Sequence, residues 1–373
     1  MTRNYLKNLY VAKILIVLVF SFQPTSPGLF AQPVGEGVSK LQKCREYDFA
    51  DTSVISVASD NENIYVATEE GSVHAIDPMA SDKIWSSNIG GQIVSNLIVA
   101  KDRILITTSA VLTNGAKPDF SILRSLSIET GLTNWSISLP YSIQMFLGNS
   151  GNAIVSISRE GAVAAHDAST GNILWKKSFQ GNLTAPPKFG NDWIVFGTDK
   201  KDILVISSKN GETALRSDLK FAASAVSIPS EKTIAIGDER GNVNLIDVNS
   251  GKTIWKFKSG AKISFLSSAE EGLLAASNDN FVYLISDYNG DIIWKRRLPG
   301  RVAGPLLVAE NIVVLQVYAD KSAFLLDLES GRIVNQFIMD QENSPGIMPN
   351  STKDNSIIFS TAASLVSYGV KPC

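Results

Sequence analysis

Two histidines, two cysteines and six tryptophans are the residues with which this 373-residue chain could do more than pack. Neither His74 nor His166 belongs to a metal-ligand spacing, so both are expected to be surface or satisfied core side chains. Cys44 and Cys373 stand near opposite ends of the chain and cannot form a Cys-x-x-Cys; what remains open to them is a bridge in an oxidising compartment. The stretch Asp287-Tyr-Asn-Gly290-Asp291 has oxygen donors at calcium-loop spacing, but the distal Glu is missing and a tight turn explains the same residues. Trp294-Lys-Arg-Arg297 is the one place where an aromatic meets a basic cluster, and it reads as a solvated strand edge. The chain has no His-Glu-x-x-His, phosphate loop or Gly-x-Ser-x-Gly, so neither a catalytic residue nor a cofactor or metal is assigned. A formal net charge of -2 supplies no basic field for nucleic acid.

The tryptophans carry more information, through their period. Gly161-Ala-Val-Ala-Ala-His-Asp167-Ala-Ser-Thr-Gly171-Asn-Ile-Leu-Trp175 matches Gly241-Asn-Val-Asn-Leu-Ile-Asp247-Val-Asn-Ser-Gly251-Lys-Thr-Ile-Trp255 in its apolar strand, Asp, Gly and Trp. The same frame places Trp85, Trp135, Leu215, Trp294 and Asn335 at equivalent positions, with steps of 50, 40, 40, 40, 39 and 41 residues. A ligand-stacking box would not repeat in this way, so the tryptophans are expected to be structural.

Asp or Ser before each turn can accept backbone N–H bonds, and the Gly four residues later supplies a left-handed corner. Ahead of each turn stand short β-branched runs such as Ile64–Thr68, Ile104–Thr108 and Ile194–Thr198, bounded by polar turns. Four short strands in about forty residues is one propeller blade, and no helical periodicity is long enough for a βαβ crossover. The fold class is all-β, an eight-bladed β-propeller of four-stranded blades. Seven units are complete. The eighth has strand pairs over 356–361 and 364–368 but no outer strand, whereas Lys40–Phe49 at the other end has no partner in sequence. The two orphans complete each other and close the ring over residues 40–373. That pairing brings Cys44 and Cys373 to one end of the closing blade, where a disulfide would clasp it.

The amino terminus has the grammar of an export signal. Arg3, Lys7 and Lys13 precede the apolar run Ile14–Phe22, and Ala31 is the best candidate for the last residue removed. As a helix the run rises only about 14 Å against a hydrocarbon core of roughly 30 Å, too short for an anchor. The expected organisation is a signal peptide over 1–31, a linker over 32–39 and the propeller over 40–373. The mature chain, net -5, would be periplasmic or extracellular. Cys44 follows Leu41-Gln42-Lys43, which is wrong for lipid attachment.

The repeat resembles the tryptophan-docking motif of the pyrroloquinoline-quinone-like eight-bladed propellers, carried here by Trp85, Trp135, Trp175, Trp255 and Trp294 along nearly the whole mature chain. The nearest functional type in that family is the BamB-type subunit of the outer-membrane barrel-assembly machinery. The resemblance implies a non-enzymatic scaffold, expected as a monomer, that binds protein partners in the cell envelope and reaches the membrane only through them. Leu215 and Asn335 depart from the motif, so blades four and seven are expected to dock less rigidly. A quinone-dependent redox enzyme and a secreted ligand- or glycan-binding propeller are the alternatives. The enzyme class would need adjacent cysteines and an assignable calcium site, and the sequence offers neither. WD and kelch repeats fit worse, because no Trp-Asp pair ends a unit. The one large irregularity is the fifty-residue step to Trp135, which places an insertion in the Ser109–Ser121 hairpin. Its Val111, Leu112, Pro118 and Phe120 are the candidate partner contacts.

Overall fold

The computed structural model describes residues 42–369, apart from 50–51, 61, 79–82, 110–119, 141, 151–152, 310, 319–321, 339–346, 352–356 and 361–363. The expected leader with its cleavage point at Ala31, the linker, Val111, Leu112, Pro118 and Cys373 lie outside the described residues.

The described residues form thirty-two strands in eight four-stranded antiparallel sheets. Blade 1 holds Val54–Ser59, Ile64–Thr68, Ser72–Ile76 and Lys83–Asn88. Blade 2 holds Ile98–Ala100, Arg103–Ser109, Phe120–Ser127 and Thr133–Pro140. Blade 3 has Met145–Ser150, Ala153–Ser158, Ala162–Asp167 and Ile173–Ser178. Blade 4 has Lys188–Phe189, Trp193–Gly197, Asp202–Ser207 and Thr213–Asp218. Blade 5 consists of Ala223–Ser230, Thr233–Asp238, Asn242–Asp247 and Thr253–Lys258. Blade 6 consists of Ile263–Ala269, Gly272–Ser277, Phe281–Ile285 and Ile292–Arg297. Blade 7 is Leu307–Ala309, Ile312–Gln316, Ser322–Asp327 and Ile333–Ile338.

Blade 8 is composite. Its first three strands are Ile347–Ser351, Ile357–Ser360 and Ser364–Gly369, and its fourth is Gln42–Asp48 from the other end of the chain. The register runs from Gln42 opposite Gly369 to Asp48 opposite Ser364, so the expected ring closure is the one the structure has. The first strands of successive blades are neighbours all the way round, including blade 8 beside blade 1.

Second strands such as Ile64–Thr68 are buried throughout, whereas fourth strands such as Lys83–Asn88 and Thr213–Asp218 alternate exposed and half-buried residues. That alternation is the pattern of an outermost strand with one face against a neighbour. The apolar core is divided in the same way. Eight clusters of buried side chains each straddle one pair of adjacent blades; Leu274, Leu284 and Trp294 of blade 6, for example, pack with Val313, Leu315 and Phe324 of blade 7. A blade therefore buries its apolar faces only by stacking on its neighbours, so stability resides at the seams.

Candidate functional site

What this ring does to hold itself together follows from one local irregularity. Between the third and fourth strands of blades 1 to 7 the register slips once, at Ala75/Ile76, Ser125/Leu126, Ala165/His166, Val205/Ile206, Leu245/Ile246, Leu284/Ile285 and Leu325/Leu326. The slip is a β-bulge, which kinks the fourth strand and re-aims the next side chain. In five blades that side chain is a tryptophan, and it crosses the seam. Trp85 Nε1 donates to the carbonyl of Ile128 at 3.0 Å, Trp135 to Ala168 at 3.1 Å, Trp175 to Ser208 at 2.9 Å, Trp255 to Asp287 at 2.8 Å and Trp294 to Leu328 at 2.7 Å. Each acceptor directly follows the Asp or Ser that opens the next blade's tight turn.

The same ring covers that turn's glycine. A Cβ on Gly331 would lie 2.5 Å from the Trp294 ring, and the residue sits at φ 65°, so both space and backbone demand glycine there. Equivalent ring–glycine contacts recur at Gly131, Gly171, Gly211 and Gly290. The turns are closed by the glycine N–H on the carbonyl four residues back, as from Gly171 to Asp167 at 2.9 Å. Asp167 also accepts from the backbone N–H groups of Ser169 and Thr170, and the Ser169 and Thr170 hydroxyls hold its carboxyl below the usual carboxylate range.

The two seams expected to be looser differ in kind. Leu215 gives its seam apolar contact alone, packed with Val226 and Val248. Trp193, the sixth tryptophan and out of phase with the repeat, supplies the missing N–H by donating to Glu231 of blade 5 at 2.7 Å. Asn335 is buried, and its Nδ2 finds no acceptor.

The remaining polar candidates are structural. His74 Nδ1 lies 2.8 Å from Ser86 Oγ and its ring 5.3 Å from that of Phe49; His166 Nε2 lies 3.0 Å from Ser156 Oγ. Both are core histidines, but His166 departs from the expectation of a satisfied one, because its buried Nδ1 has no partner. Burial holds each pKa down to about 4, with Lys83 contributing at His74. The calcium-like stretch is the tight turn of blade 6: the Asp287 carbonyl serves Trp255, and burial raises its carboxyl pKa. In Trp294-Lys-Arg-Arg297, Arg296 Nε donates across the seam to the Gly331 carbonyl at 2.6 Å, while Lys295 lies over the Phe281 ring of its own blade. Among the described residues no group of three or more His, Cys, Asp or Glu is arranged to hold a metal.

The fifty-residue step is a lengthened hairpin between the second and third strands of blade 2, with Ser109 and Ser121 paired at its base. Phe120 opens the third strand opposite Pro140 and is half-buried. Beside it the connector to blade 3 is tied down by the Ser142 N–H on Ser121 Oγ at 3.4 Å, and Ile143 in that connector is 63% exposed.

The sequence matches the family model described as outer membrane protein assembly factor BamB in three overlapping stretches, residues 35–156, 119–262 and 239–362. The chain belongs to that family. The BamB protein of Yersinia pestis is 22% identical over 294 residues, 76% of this chain and 63% of its own length. That of Moranella endobia (strain PCIT) is 25% identical over 285 residues, 73% of this chain and 61% of its own length. The match to these curated BamB relatives thus spans a little under two thirds of their length. The crystal structure of BamB from Moraxella catarrhalis superposes with a TM-score of 0.66 at 15% identity, covering 88% of this chain and 97% of that one, which establishes the shared BamB fold.

Proposed function

We propose that this protein is a non-enzymatic scaffold of outer-membrane protein assembly that works by holding protein partners in the cell envelope. The observation that carries this reading is the family match, which runs across nearly the whole propeller rather than one blade and whose description is an assembly factor. The two relatives bear the same description. In this reading residues 1–31 are an export signal removed near Ala31, residues 32–39 a linker, and the monomeric propeller works in the periplasm. Cys44 and Cys373 form a disulfide within blade 8. Support for the bridge comes from the register that sets Gln42 opposite Gly369, four residues before Cys373. It comes also from compartment, since export allows the bond to persist.

The partner surface is assigned to the blade 2 hairpin. Val111, Leu112 and Pro118 stand in its loop, Phe120 at its base and exposed Ile143 beside it. Extended loops on a rigid ring are where binding residues concentrate. The test is capture from detergent-solubilised envelope with the full propeller and with a form lacking 110–118. The intact protein is expected to retain envelope assembly proteins and the deleted form to lose them with its melting temperature nearly unchanged. Equal capture by both would move the surface elsewhere. Turnover of an artificial electron acceptor after addition of pyrroloquinoline quinone and calcium would overturn the scaffold reading.

A further inference from the structure

The eighth seam, between blade 8 and blade 1, lacks a tryptophan but keeps the geometry of a dock. The bulge on the fourth strand of blade 8 falls between Lys43 and Arg45 and sets Arg45 opposite Ser367. In blade 1 the corresponding slip sets Trp85 opposite Ala75 and Lys83 opposite Ile76. Superimposing the two registers puts Arg45 at the tryptophan position. The acceptor agrees. Arg45 Nη1 donates to the carbonyl of Pro78 at 2.8 Å, and Pro78 directly follows Asp77, as Ala168 follows Asp167 at the Trp135 dock. The Tyr47 hydroxyl, two residues on, lies 3.4 Å from the carbonyls of both Asp77 and Pro78.

We infer that Arg45 is the docking residue of the eighth blade, and that the ring is closed by a polar clasp in place of an aromatic stack. Arg45 supplies the N–H that the indole supplies elsewhere, with a charge that strengthens the hydrogen bond, and gives up the ring-on-glycine contact. The clasp is distinct from the proposed disulfide at neighbouring Cys44: the bridge would tie blade 8 to itself, whereas Arg45 ties blade 8 to blade 1.

The test is backbone hydrogen exchange on the mature protein, in dithiol reductant so that a bridge at Cys44 cannot mask the seam. Arg45→Ala is expected to speed exchange at 42–48 and 83–88 by about tenfold or more, with blades 3 to 6 unchanged. Arg45→Gln, which keeps an N–H donor, should recover most of the protection. Arg45→Leu, which removes every N–H donor and keeps an apolar side chain, should not. Unchanged exchange in Arg45→Ala, or equal exchange in the Gln and Leu variants, would overturn the assignment. If Arg45→Ala does not fold, the Gln and Leu variants decide on the same criterion.

Discussion

The seam between blades 5 and 6 and the seam between blades 4 and 5 perform one task with different parts. At the first, Trp255 places its N–H on the Asp287 carbonyl and its ring over Gly290. At the second, Leu215 fills the apolar half and Trp193, from a different strand, donates to Glu231. The dock is thus two separable interactions, a buried apolar contact and one N–H placed on a neighbour's carbonyl. Most of the free energy belongs to the first, because burying a large side chain contributes a few kcal/mol whereas one hydrogen bond contributes about 1 kcal/mol. The seam between blades 7 and 8 marks the limit of that economy, since Asn335 brings neither an indole nor a satisfied donor.

The largest expected effect is that of Trp294→Ala, which empties a buried dock and should cost about 3–5 kcal/mol in chemical denaturation. Leu215→Ala should cost about 2 kcal/mol, because the side chain is only half-buried and Trp193 remains. Equal losses would show that the two seams are not built differently after all.

Acid probes the buried histidines rather than the tryptophan docks. His74, whose ring meets Phe49 at the seam of blades 8 and 1, and His166, within reach of Ser156 in blade 3, are held near pKa 4, below the ordinary value of 6.5. Between those values the unfolded chain binds protons that the folded chain does not, so stability is full above about pH 6.5 and falls as pH drops towards 4. Each histidine contributes at most ~1.4 kcal/mol per pH unit over that window. His166→Gln should flatten the acid limb of a melting-temperature profile while leaving the Trp294→Ala penalty at pH 7.5 unchanged. An identical acid limb in the variant would remove His166 from the account.

A finer cut is Trp193→Phe, which keeps most of the ring and deletes only the N–H. A loss of about 1 kcal/mol is expected, matching that of Trp255→Phe if the hydrogen-bonding half of the dock is worth the same from either strand. Asn335→Leu is the smallest effect and has the opposite sign. Removing a buried donor with no acceptor should leave stability unchanged or raise it by up to about 1 kcal/mol. A clear loss there would mean that the amide makes a bond worth keeping.

Period and turn chemistry made the architecture legible from sequence. Asp, Gly and Trp recur because one bulge and one corner are rebuilt in each blade, and the two unpaired ends announced the closure. The first strands were the least readable. Ile347–Ser351 contains Pro349 and has no alternating pattern, so nothing local marked it as the inner strand of blade 8. Trp193 escaped because it lies outside the repeat phase and acts from a second strand. Arg45 escaped for the reverse reason: it stands forty residues before Trp85, in phase, but a search for like residues passes over a guanidinium doing an indole's work. Residue type was legible where the repeat reuses the same chemistry, and silent where it substitutes another.

The composite blade also sets an order of events. Its fourth strand is among the first parts of the propeller made, and its partners are the last; the Ser364 hydroxyl that meets Glu46 is separated from it by 318 residues. Contacts of such long range pay their loop-closure entropy before they return anything, so they form late. Synthesis from the amino end can stack blades 1 to 7 in sequence, but the residues at 42–48 must wait, unpaired, until 364–369 arrive. A chain interrupted anywhere before that point is left with an open edge and an exposed strand, which makes completeness of the molecule something its own folding can register.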